Sequence, residues 1–270
     1  MHTKLTARRE LLLLLSLAGI QFTHIVDFMI MMPLGPQLTS LFGISFAEFG
    51  LLVSAYTVAA GLSGLFATTF IDRFDRKRLL LTLYVLFALT TVACGIAPTY
   101  GWLMAARIAS GFFGGVLSTM TQTIIGDVVP FERRGRATGI VMTSFSVATV
   151  AGVPAGLFFA NLWGWHTAFF AIGVMCIVVG ALANYSVPKL DAHVAHAKDK
   201  HVLHAMGQVL GEPNQRMALL LSATMMFAAF TIIPYITLYL QNNQIMAPNE
   251  IPWLYFCGGV VTLFSGRWVG

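Results

Sequence analysis

Two charged side chains lie where charge is costly. Of eleven acidic residues only Asp27, and of sixteen basic residues only Arg107, fall well inside long apolar runs. If those runs cross a bilayer, each such charge costs roughly 2.5–3.5 kcal/mol, so it should face a cavity and keep a partner. Asp27 precedes Leu34, at the end of its run, by seven residues, and Arg107 follows Gly101, at the start of its run, by six. At about 1.5 Å per residue both lie about 10 Å below the same surface, which predicts one shared cavity. Gln21 and His24 precede Asp27 at three-residue steps and share its helix face. A carboxylate so placed could take up and release a proton as Arg107 or a substrate moves. Tyr56, with Phe and Met residues, furnishes the rest of a cavity with little charge. Such walls favour a largely apolar or neutral small-molecule substrate. The competing reading is a static structural network.

The runs that must position these residues are helical. Fifty-seven percent of the chain is hydrophobic and ten percent is charged, against about a quarter charged in soluble domains. Eight apolar runs stand near 11–34, 49–70, 79–97, 101–125, 137–160, 168–187, 217–240 and 252–270. About 20 apolar residues cross the hydrocarbon core as a helix, and nothing alternates as barrel strands would. The run after Arg8 and Arg9 is too long for a cleaved leader and reads as a first span.

Positive charge sets the expected orientation. Basic residues gather before the first run, at 73–78, at 133–136 and at 189–216, while 35–48, 97–101, 161–167 and 241–252 hold none. Basic loops stay in the cytoplasm, so the amino terminus is expected inside a plasma or inner membrane. The net charge of +5 calls for no nucleic-acid partner. Cys94, Cys176 and Cys257 fall in spans and read as buried free thiols.

The expected organisation is a six-helix bundle over 1–187, a polar cytoplasmic linker over 188–214, and the start of a second bundle over 215–270. Met32-Pro33 and Leu62-Ser63-Gly64 have counterparts about 200 residues on, in Ile233-Pro234 and Phe264-Ser265-Gly266. The pattern reads as a duplicated unit whose second copy is cut off after two helices. His193, His196, His201 and His204 in the linker have spacings that would put them near one helix face, but polar linkers collect histidine without binding anything, and no metal or cofactor is expected.

Small residues mark helix packing: Gly111, Gly114 and Gly115 in the fourth run, Gly61 and Gly64 in the second. Gly152, Pro154 and Gly156 predict a kink or hinge in the fifth.

These motifs together resemble the major facilitator superfamily. The stretch Asp72-Arg73-Phe74-Asp75-Arg76-Lys77-Arg78 is similar to its signature Gly-x-x-x-Asp-Arg-x-Gly-Arg-Lys/Arg, with Thr68 and Asp75 where the signature has glycine. Leu103, Arg107, Gly111 and Gly114 resemble its fourth-helix motif. Gly152, Pro154 and Gly156 resemble the fifth-helix motif of its antiporters, reading Gly-Val-Pro in place of Gly-Pro. Trp165 before Ala168-Phe169-Phe170 fits the usual entry to the sixth helix. The resemblance implies an all-α integral membrane fold of two rocking six-helix halves. It also implies that Asp72, Arg73 and Arg76 latch the inner side, with Asp127 as partner. The implied function is proton-coupled efflux of a small organic molecule such as a drug or sugar, by a monomer and not an enzyme. An uptake symporter or uniporter, or a non-transporting remnant, is the alternative. A channel would need rings of polar residues, and only one acid and one base are present.

Overall fold

The computed structural model describes residues 6–71, 74–188 and 211–269. Every element in its order is a helix: α1 (Ala7–Ile30), α2 (Gly35–Phe42), α3 (Phe46–Phe70), α4 (Arg76–Gly95), α5 (Tyr100–Val128), α6 (Phe131–Val147), α7 (Val153–Trp163), α8 (His166–Ser186), α9 (Pro213–Ile232), α10 (Ile236–Asn242) and α11 (Ile251–Val269). Among the described residues, seven helical stretches are long and apolar enough to cross a membrane, with α6–α7 and α9–α10 each counting as one. The eighth apolar run forms α11. In lipid a helix satisfies all its own backbone groups, which is why runs of Leu, Val, Phe and Ala settle into this form.

Polar residues fix where each helix begins. Thr6, Ser45, Asp75 and Thr99 are N-caps, each accepting from a backbone N–H three residues on. At Ser45 the cap is reciprocal, for Glu48 accepts from the Ser45 N–H at 2.8 Å. Asp75, which replaces a signature glycine, uses its carboxylate to start α4.

Two features depart from the sequence reading. The segment 35–48, read as a loop, contains the short helix α2, opened by Pro36 in its first turn and closed by Gly43 at φ 61°. Proline is pre-set for a helix start and glycine for its left-handed end, so two breaker residues bracket a helix. In the fifth span, Ala148–Gly152 forms a π-helical turn between α6 and α7. Pro154 offers no N–H to the Val150 carbonyl, and the ladder widens there.

α1, α3, α4, α5, α6–α7 and α8 pack as one bundle. α5 is its centre: 56% of its apolar window is buried, against 6% for α9–α10. α11 lies against α6–α7, where a Cβ on Gly259 would meet the Val150 backbone. α10 lies against α2, with Leu238 buried beside Gly35. Along α9 no residue is buried.

Candidate functional site

Glycines on α5 bring the polar residues of α1, α3 and α5 together. A Cβ on Gly111 would strike the Tyr56 backbone, one on Gly114 the His24 ring and one on Gly115 the Ala60 carbonyl. Without side chains there, α3 and α1 approach α5 closely. Gly152 and Gly156 do the same for α7 on α1, facing Val26, Phe22 and Ile30. Gly64 faces Thr119 and Gly115, whereas Gly61, read with it as packing, has open space where a Cβ would stand.

Asp27 and Arg107 meet directly in this packed interior instead of facing each other across a cavity. Arg107 Nη1 donates to Asp27 Oδ2 at 3.0 Å and to the Asp27 main-chain oxygen at 3.0 Å. Both side chains have 0% exposure. The guanidinium carbon lies 4.2 Å from the centre of the Tyr56 ring, a cation–π contact in a dry setting. Arg107 Nε and Nη2 and Asp27 Oδ1 make no hydrogen bond. The pair is therefore held by one bridging nitrogen, with donors and an acceptor to spare.

His24 and Gln21 sit on the same face of α1, as the three-residue spacing predicts. Gln21 Nε2 is 3.4 Å from Ser118 Oγ on α5. Neither ring nitrogen of His24 is bonded. Its ring lies 6.0 Å from that of Tyr56 and 6.2 Å from that of Phe87. The Tyr56 ring stacks on Phe28 at 5.3 Å, and Phe28 meets Phe230 of α9 at 5.6 Å. One aromatic column thus runs from the Arg107 guanidinium to the second half of the chain.

Sequence reasoning passed over Thr91 on α4. It is fully buried, and its hydroxyl lies beside the Asp27 carboxylate without hydrogen-bond geometry to it. Thr90 and Thr91 stand side by side in the apolar run, and Thr in such a run commonly bonds its own helix backbone, so it carries no signal. Cys94 and Cys176 are buried as expected, but Cys257 is exposed, because α11 packs by one face only.

At the basic end of the bundle, Arg76 Nε donates to Asp127 Oδ2 at 3.1 Å, tying α4 to α5. Arg133 pairs with Glu10 at 3.1 Å, and Lys77 Nζ donates to the Asn184 carbonyl at 2.6 Å. Asp72, Arg73 and the four linker histidines lie outside the described residues. Among the described residues no group of His, Cys, Asp and Glu could hold a metal.

At the opposite end α2 and α7 meet the segment before α11. Asn161 accepts from Gln37 at 3.2 Å and donates to the Pro248 carbonyl at 3.3 Å. Beside it lies a cavity of about 730 Å³ that Gln37, Asn161, Gln241 and Asn249 help to line.

The described helices thus form a bundle around a buried acid–base pair, with further helices against one end. The Major Facilitator Superfamily matches residues 17–270, and the chain belongs to that family. It is 34% identical over 170 residues to the uncharacterized MFS-type transporter YtbD of Bacillus subtilis, covering 63% of this chain and 42% of that protein. It is 27% identical over 199 residues to the inner membrane transport protein YdhP of Escherichia coli K12, covering 74% and 50%. The chain thus spans half or less of the length of these relatives. Among solved structures, it is similar to a bacterial homologue of the human lysosomal transporter Spinster in an inward-facing, unoccupied conformation. The TM-score is 0.77 at 19% identity, covering 96% of this chain and 61% of that one. A D-xylose–proton symporter matches with TM-score 0.71 at 16% identity, covering 96% and 67%. At such identities the likeness speaks to the fold alone.

Proposed function

We propose that this chain is the ion-coupling half, with part of the second half, of a secondary active transporter. It would carry a small, largely apolar or neutral organic molecule out of the cell in exchange for protons. The observation that carries this reading is the fully buried Asp27–Arg107 pair, joined through one guanidinium nitrogen with unbonded polar atoms on both partners. In the charged state the two groups hold each other. A proton arriving on the Asp27 carboxylate removes one charge, and Arg107 is left to turn its free donors to Tyr56, His24 or a substrate. Loss of that proton restores the pair. A two-state element of this kind is what alternating access needs.

The basic ends of α4 and α6 are placed in the cytoplasm, with the amino terminus, in an inner membrane. Arg76 and Asp127, with Asp72 and Arg73, are assigned to the inner latch. Contact of the halves at the opposite end through Asn161 and Pro248 supports a conformation shut on the outside.

The test is transport into proteoliposomes by the full-length protein under an imposed pH gradient. Asp27→Asn is expected to abolish gradient-driven transport by protein reconstituted at matched amount, and to lower thermal stability because it strands the Arg107 charge. Normal coupling in that variant would remove Asp27 from the mechanism. Reversing the gradient separates efflux by exchange from uptake by symport, since only the first drives substrate against the incoming proton.

A further inference from the structure

Away from the buried pair, a trough of about 670 Å³ runs between α4 and α8, on the side turned away from α5. Its rim is open: Val85 is 57% exposed, Val174 63% and Ile177 72%. Small residues make its floor. A Cβ on Gly173 would crowd Val92, and one on Gly180 would stand 3.5 Å from the Tyr84 ring. On α4 the trough extends from Leu81 to Val92. That is about 16 Å at 1.5 Å per residue, roughly half of a hydrocarbon core about 30 Å thick. The trough has the depth of a single leaflet, and it starts at the basic end.

A cation stands at that start. Lys77 lies one helical turn before Leu81, and its ammonium donates to the carbonyl of Asn184, which itself lines the trough. An ammonium has three N–H donors, so two remain. Among the described residues the neighbouring acids are engaged elsewhere: Asp127 pairs with Arg76, and Asp75 caps α4. Apolar walls of one leaflet's depth, ending on an available positive charge, match the build of an anionic phospholipid.

We propose that the trough between α4 and α8 holds one acyl chain of an anionic phospholipid from the leaflet at the basic end, with the headgroup phosphate on Lys77. A basic residue near the surface favours anionic lipid by a factor of about five. The experiment is native mass spectrometry of the full-length protein after detergent exchange. Phosphatidylglycerol or phosphatidylcholine with identical chains is supplied at equal concentration. Phosphatidylglycerol is expected to be retained about fivefold better, and Lys77→Gln to bring it down to the phosphatidylcholine level. Ala181→Phe, on the exposed rim, is expected to displace both lipids; Val85→Phe repeats that test if the first variant melts early. Equal retention of the two lipids by the unaltered protein would overturn the headgroup assignment. Full retention in both filled variants would overturn the trough. Loss of a dimer in the filled variants, without loss of lipid, would give the surface to a second copy of the chain and overturn the proposal.

Discussion

An ion pair with no exposure on either side chain has a lopsided energetic character. Together the charges largely offset each other's desolvation, but removing one strands the other, at about 3–5 kcal/mol. Arg107→Ala is therefore expected to lose transport and to lower thermal stability in detergent by an amount of that order. Adding Asp27→Asn to Arg107→Met should recover most of the stability, since a neutral pair strands nothing, and should recover no transport. Melting curves beside proteoliposome fluxes separate the two effects. If the double variant transported normally, the pair would be structural only. The unbonded His24 ring predicts a milder outcome: His24→Gln should change transport rate while lowering the melting temperature less than Arg107→Ala does, since it breaks no paired interaction.

Helix contacts decide whether those side chains meet at all. Gly111 presses on the Tyr56 backbone, whereas Gly61 has free space beside it. Gly111→Val should force α3 from α5 and cost about 1–3 kcal/mol, the range for overpacking a tight interior. Gly61→Ala should melt like the parent. Both are read from thermal unfolding. The π turn at Ala148–Gly152 gives a second prediction at this scale. Pro154→Ala returns a donor to the Val150 carbonyl and allows a regular helix through the span. If the turn is a hinge, the variant should bind substrate with unchanged affinity and turn over more slowly, measured by equilibrium binding and initial flux. An unchanged flux would reduce the turn to a static kink.

At the scale of the whole molecule, among the described residues α2 and α7 meet the segment before α11 at the end free of Lys and Arg. Along α9 nothing is buried, while Phe230, near the end of α9, touches Phe28. If basic loops face the cytoplasm, a cysteine at Ser40 in α2 should react with an impermeant maleimide from outside only. One at Gly135 in α6 should react only after the membrane is opened. Ser40→Cys and Gly135→Cys, each in a background with Cys94, Cys176 and Cys257 replaced by Ala, make the measurement. The reverse labelling pattern would invert the molecule.

Hydropathy alone determined the long spans, because lipid leaves the backbone no alternative and a span needs a long apolar run to exist. It also singled out Asp27 and Arg107, since an isolated charge in such a run stands out in any order of packing. Matching depth is a one-dimensional quantity, and two helix positions suffice to compute it. What the chain's order could not contain is azimuth: which face of α5 turns to α1. That rests on Gly111, Gly114 and Gly115 fitting Tyr56, His24 and Ala60. The packing turned two facing charges into a direct pair and brought Thr91 beside it. It stacked Tyr56 and Phe28 into a column reaching α9. The helix inside 35–48 was hidden for a related reason. Pro36 and Gly43 read as breakers along the chain, and only the fold shows that they stand at a helix's two ends. Spacing along a chain fixes depth in a membrane, but contact between helices depends on shape on every side at once, which only the assembled bundle decides.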